Sequence, residues 1–438
     1  MWQLIQYVSD MFANKPLRKK ILFTIGVLAV YRMLVFVPVP FVNIDMLLWQ
    51  TLIGGWGLEF FAMLLGGTLN NFSIIAVWLT PYINAAIIIQ LMTAVIPHLE
   101  ELQEQGEAGT QKIQQYTRWL SVPLAFLQSI GMVFFINYLL GGQVISTDIT
   151  TILLTAMVLT VWATFLLYLW ELITEKGISN GISLLIFASI VAGISGHVYT
   201  TAGASVNLLD TTLFMATIVL VLVVLSVLLV KTRKDIPVVY ARQGNMQETA
   251  SLPIPLNPVG MIPIIFAIAF VTFPYLMSQI VINVGSQNAS MQNIAQRIEL
   301  NFNIYSQQPG LFVIAVYFVL IVLFTFFYAL ITFNPDRMAD NIQKRWGFIP
   351  GIRPGEETAK YLNKMLIHLC LWWGTGLAVV GVYSYVLTYI PFVQQATQAV
   401  GSIPVIVSGA GIIIIVGVVQ ELINKINADM LMAKYDRI

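Results

Sequence analysis

Apolar stretches of about 20 residues recur along the whole chain, separated by shorter polar segments. A helix needs about 20 apolar residues to cross a hydrocarbon core of roughly 30 Å. With that window the pattern predicts ten spans, the first five near Ile21 to Val39, Ile74 to Ile96, Trp119 to Leu140, Thr151 to Trp170 and Ile178 to Gly193. Five more follow near Leu209 to Val230, Val259 to Ile282, Leu311 to Phe333, Ile367 to Ile390 and Ile403 to Ile423. The expected fold class is therefore an all-α membrane protein, divided into residues 1–194 and residues 195–438. If the halves are structural repeats, an odd number of spans per half makes them inverted relative to each other, an arrangement common among proteins that move something across membranes. Lys15, Arg18, Lys19 and Lys20 before the first apolar run imitate a signal peptide. That run lacks a small-residue cleavage site and is followed by nine further spans, so it reads as a span itself.

One apolar piece is too short for this scheme. Gly54, Gly55 and Gly57 precede Leu58 to Leu65, and Gly66 and Gly67 follow it. Eight helical residues are about 12 Å long, so the segment either lies outside the membrane or enters and leaves on one side. Backbone that stops partway through a membrane is tolerated only where protein covers it or where it lines a wet cavity.

Composition agrees with the pattern. The 438 residues are 58% hydrophobic and only 10% charged, and the mean hydropathy is +0.81. A soluble chain would carry about 25% charged residues. The net charge of +1 offers no bulk field for nucleic acid, so electrostatics depend on where the charges sit. Of the 22 Lys and Arg, 20 fall in the loops on the side of the two termini; Arg32 lies within the first span and Arg297 in an opposite loop. The positive-inside bias then puts both termini in the cytoplasm. The single Cys370 excludes an intramolecular disulfide, and His98, His197 and His368 are too dispersed to suggest a metal site.

Gly177-Ile178-Ser179-Asn180-Gly181 formally matches a nucleophile elbow. An elbow needs a strand before it, whereas a membrane helix is expected here, so the glycines read as a tight turn between spans four and five. With no HExxH, no Ser/His or Asp pair at plausible depth and no phosphate-binding Gly-Lys motif, no catalysis, cofactor or metal is implied, and any ATP must be used by a partner.

At these places the sequence resembles the SecY family, the channel subunits of bacterial protein translocases. The resemblance is carried by FSIIAVWLTPYINAAIIIQLM (Phe72 to Met92), GEAGTQKIQQYTRW (Gly106 to Trp119), ELITEKGISNGISLLIFASIVAGI (Glu171 to Ile194), LNPVGMIPIIFA (Leu256 to Ala267) and FNPDRMADNIQKRWGFIPGIRPGEETAKYLNK (Phe333 to Lys364). It implies ten helices whose halves close like a clamshell around a pore for secretory and membrane preproteins, opening across the plasma membrane and sideways into the lipid bilayer.

Residue by residue, the resemblance implies a pore ring at Leu79, Ile83, Ile182, Ile186, Ile265 and Ile414. A narrow apolar constriction refuses hydrated ions, because none can shed its water there without compensation. The piece Leu58, Glu59, Phe60, Phe61, Ala62, Met63, Leu64 and Leu65, with flanks Gly54 to Asn71, matches the family's re-entrant plug. Gln90, Gln128 and Asn257 match a lateral gate between spans two and three and spans seven and eight. Amide hydrogen bonds at that depth are worth roughly 0.6 kcal/mol on average, enough for a latch.

The cytoplasmic loops Lys231 to Pro258 and Asn334 to Lys364 are where the family docks the SecA motor or the ribosome, with Arg353 in GIRPGE as the tip arginine and Arg242 in a YAR element. The first of these loops lacks the usual basic tip and is shorter than the family's. SecE-like and SecG-like small membrane subunits complete the implied assembly. A secondary transporter with inverted repeats is the alternative reading; it would require intramembrane ionisable residues for coupling, and only Arg32 clearly lies within a span.

Overall fold

The structure, a computed structural model, describes residues 11, 14–42, 72–93, 95–139, 145, 148–202, 208–240, 248–255, 260–283, 289–304, 309–344, 346–390 and 409–435. Within the N-terminal part the helices are α1 (Lys15–Val35), α2 (Thr80–Thr93), α3 (Pro97–Glu104), α4 (Glu107–Leu139), α5 (Ile149–Lys176) and α6 (Gly181–Ala202). After them come α7 (Leu208–Lys231), strands β1 (Arg233–Tyr240) and β2 (Glu248–Pro255), α8 (Ile262–Asn283), α9 (Ala289–Phe302) and α10 (Leu311–Thr332). The chain continues through α11 (Pro335–Lys344), β3 (Gly347–Phe348), α12 (Glu356–Leu387) and α13 (Gly409–Tyr435).

Every apolar stretch predicted to span overlaps one of these helices. Among the described residues α5, α12, α13 and α10 running on into α11 are each long and apolar enough to cross a membrane, and the pair α2 and α3, bent by 103°, would add a fifth. Other predicted stretches form shorter apolar helices over Gly181–Gly193, Ala216–Lys231 and Ile262–Thr272. The chain is thus a predominantly helical, multi-pass membrane protein.

The second stretch departs from its expected bounds. Residues 74–79 are turns, with Phe72 and Trp78 at positive φ, and the helix begins only at Thr80. Pro81 explains the delay, because in a helix running from Ile74 it would sit in the interior without an N–H to donate, whereas in the first turn that N–H is not needed.

Helices pack in a chain of neighbours: α2 on α4, α4 on α5, α8 on α10 and α10 on α12. Their contact faces form one continuous apolar core that draws on nearly every helix from α1 to α13. Inside it Tyr31, fully buried, shares a 2.5 Å hydrogen bond with Ser189 of α6. A buried phenol needs such a partner, since an unmet hydroxyl in hydrocarbon costs free energy.

The two loops expected to be cytoplasmic are not independent. β1 and β2 form an antiparallel hairpin with Ile236 opposite Leu252, and β3 joins the other edge of β1, with Val239 opposite Phe348. A second small core of Ile236, Val238, Ile342, Ile349, Leu362, Met365 and Leu369 fastens this sheet to α11 and α12.

Candidate functional site

Segments on either side of residues 203–207 meet along two seams. On one, α8 packs against both α2 and α4; on the other, α13 packs against α6 and α1. The residues expected to line the pore all belong to the apolar core or pack against it. Leu79, Ile83, Ile186 and Ile414 are buried members of it, while Ile182 and Ile265 are half-buried and packed against it. They come from the α2 entry turn, α2, α6, α8 and α13, so four separate parts of the chain supply the six aliphatic side chains.

Two of the amides expected at a lateral gate lie on helices of the first seam. Gln90 lies in α2 and Gln128 in α4, both half-buried and both on helices that touch α8. The Gln128 Oε1 is buried with no hydrogen-bond partner among the described residues. Asn257, the third gate residue, lies outside the described residues, as do the plug residues Leu58 to Leu65 and Arg242.

Polar contacts hold the second seam at the end of the helices where the sheet lies. The Lys20 ammonium donates to the Asp429 carboxylate at 2.8 Å, and the Ser179 hydroxyl donates to Glu421 Oε1 at 2.9 Å. Beneath them Leu17, Ile21, Ile178 and Ile426 form a small apolar cluster. Ser179 is therefore part of a turn that braces α13. Helix α5 precedes it where an elbow would need a strand, and the Gly181 N–H is met by Thr174 Oγ1 at 3.0 Å.

Arg353 is exposed, at the apex of a turn between β3 and α12. The turn depends on glycine twice, since Gly351 and Gly355 have φ of +84° and +95°, a region that costs other residues about 1–2 kcal/mol. Thr358 Oγ1 donates to the Arg353 carbonyl at 2.9 Å, tying the apex to the first turn of α12. One turn on, Lys360 Nζ lies 2.9 Å from Glu356 Oε1. That hydrogen bond holds the Glu356 carboxyl below its ordinary range.

Several features of this region escaped the sequence reading. The sheet uniting the two loops was legible only as alternation in Ile236-Pro237-Val238, whose outer members are buried while Pro237 is exposed. Trp346 carried no signal, yet it stands 78% exposed beside β3 at φ +58°. The carboxylates near the helix ends turn out to be engaged: Glu171 Oε1 lies 2.7 Å from Arg118 Nε, and Glu421 accepts from Ser179.

Comparison with known proteins gives a consistent result. The SecY family model matches residues 73–423. The protein translocase subunit SecY of Staphylococcus aureus strain NCTC 8325 is 35% identical over 446 residues, covering 99% of each chain. Its counterpart from Bacillus licheniformis is 33% identical over 448 residues with the same coverage. Among solved structures, a SecY channel described in terms of its plug domain superimposes with a TM-score of 0.64 at 17% identity, over 94% of this chain and 92% of that one. Sec61 from a canine ribosome–channel complex superimposes with a TM-score of 0.60 at 17% identity, again over 94% and 92%.

Proposed function

This chain belongs to the SecY family, and from that premise we propose how its residues divide the work of a protein-conducting channel. The chain is the central pore subunit of a Sec translocase: unfolded secretory polypeptides pass through it across the membrane, and transmembrane helices leave it sideways into lipid. The secondary-transporter alternative is not favoured. Glu171 and Glu421 are engaged in local contacts near helix ends, and Arg32 lies 5.9 Å from the centroid of the neighbouring Phe36 ring.

In our reading Leu79, Ile83, Ile182, Ile186, Ile265 and Ile414 form the constriction. The observation that carries it is the convergence of these six side chains from four distant parts of the chain on one apolar core. Aliphatic side chains seal against ions by dewetting, yet each can change rotamer to let a peptide through without binding it. The test is site-specific crosslinking to a stalled secretory chain. Probes at Ile83 and Ile265 should capture the chain, while a probe at Leu323, 53% exposed on α10, should capture lipid; equal capture at all three would remove the ring.

The side exit runs between α8 and the pair α2 and α4, with Gln90, Gln128 and Asn257 as the latch. The buried Gln128 Oε1, which has no hydrogen-bond partner among the described residues, supports a role in that latch. The halves, residues 1–194 and 195–438, move apart there while the Lys20–Asp429 seam holds. The segment Leu58 to Leu65 plugs the outer funnel. The sheet and the Arg353 turn form the docking surface for SecA or the ribosome, which supplies the energy, since the channel itself is passive. The membrane is the bacterial plasma membrane with both termini cytoplasmic, and SecE-like and SecG-like subunits flank the chain.

A further inference from the structure

At the end of α10 remote from the Arg353 turn, α9 packs across α8 and α10. Ala295 is its buried anchor at 3% exposure, while Met291 and Ile294 on the same side are more than half exposed, at 55% and 59%. A cleft of about 270 Å³ opens between α9 and the first turn of α10, lined by Ile294, Arg297, Ile298, Asn301, Phe302 and Phe312. Edge-on packing of the Phe302 and Phe312 rings, centroids 5.8 Å apart, closes its floor.

The depth of this cleft follows from α10 itself. Its 22 residues make a helix about 33 Å long, against a hydrocarbon core of roughly 30 Å. A span of that length would put Leu311 and Phe312, 71% and 55% exposed, at the edge of the hydrocarbon, and Arg297, which lines the same cleft as Phe312, would then reach headgroup depth. Arg297 presents a guanidinium fork suited to phosphate oxygens. Asn301 gives one amide hydrogen to the Arg297 carbonyl at 2.9 Å and keeps a second. No acidic side chain lines the cleft, so the ammonium of a zwitterionic headgroup finds no partner there.

We propose that this cleft is a binding site for an anionic phospholipid, its phosphate held by Arg297 and Asn301 and its upper acyl carbons lying against Ile294 and Phe312. The site belongs to the leaflet opposite the docking surface, where Arg297 is the one basic residue expected from the charge distribution. The lipid would fix α9 in the interface and with it the outer ends of α8 and α10.

The purified complex carrying bimane on Met291→Cys, with buried Cys370 left unlabelled, would be reconstituted into phosphatidylcholine vesicles. Equal small fractions of dibrominated phosphatidylglycerol or dibrominated phosphatidylcholine would then be added. We expect several-fold stronger quenching by the brominated phosphatidylglycerol, loss of that preference in Arg297→Gln, and its retention in Arg297→Lys. Equal quenching by both lipids, a preference that survives Arg297→Gln, or no quenching by either, which would mean that protein covers the cleft, would each overturn the proposal.

Discussion

The docking role proposed for Arg353 rests on how the backbone presents its side chain. Two glycines at positive φ bend the chain around it, Thr358 pins its carbonyl, and the guanidinium is left in solvent. A fork presented this way suits carboxylates on a motor or phosphates of ribosomal RNA. Arg353→Glu should reduce translocation into inverted vesicles several-fold while the protein still inserts and co-purifies with its small subunits; normal export would remove the docking role. Tyr31 illustrates the opposite case, a polar atom whose role is internal. Tyr31→Phe deletes its bond to Ser189, but the Ser189 hydroxyl keeps the Leu185 carbonyl at 2.9 Å, so nothing is left orphaned. The expected cost is therefore near the low end of about 0.5–1.5 kcal/mol, read as a small drop in melting temperature in detergent. Arg353 was legible from its motif, whereas the Tyr31–Ser189 bond joins residues 158 apart and no local pattern announces it.

Among the elements, the seam of α13 with α1 and α6 is held partly by charge. Lys20 and Asp429 are 41% and 17% exposed, and a pair so open to solvent contributes roughly 0.2–1 kcal/mol. A double-mutant cycle on Lys20→Ala and Asp429→Ala should return a coupling of that size, falling as salt is raised. A coupling of several kcal/mol would mean that the pair is far more deeply desolvated than its exposure indicates. The apolar helices were legible, because apolar runs of this length have few other solutions in a membrane, whereas the shorter, more polar α3, α9 and α11 were not. Boundaries were less legible: α2 starts at Thr80 rather than Ile74, with Pro81 in its first turn. The β1–β2–β3 sheet was read as loop, since strands of eight and two residues owe their stability to partners distant in sequence. Its small core draws on Ile236, Ile342 and Leu362, residues that no window of the sequence brings together.

For the whole molecule, function depends on a closed state that is tight and an open state that is reachable. Deleting Leu58 to Leu65 should raise the ion conductance of the resting channel in planar bilayers, and unchanged conductance would count against the plug. The family was legible because motif blocks are spread over nearly the whole chain, and the 35% identity to the Staphylococcus aureus subunit runs equally far. What the sequence determined alone was the class and the positions of the apolar helices, because transfer into hydrocarbon is a sum over local residues. Only the tertiary structure decided that α8 meets α2 and α4, that Lys20 finds Asp429 across 409 positions, and that two loops share one sheet. Those contacts are relations between surfaces: lipid solvates an apolar face almost as well as another helix does, so hydropathy marks what lies in the membrane and packing alone selects which faces touch.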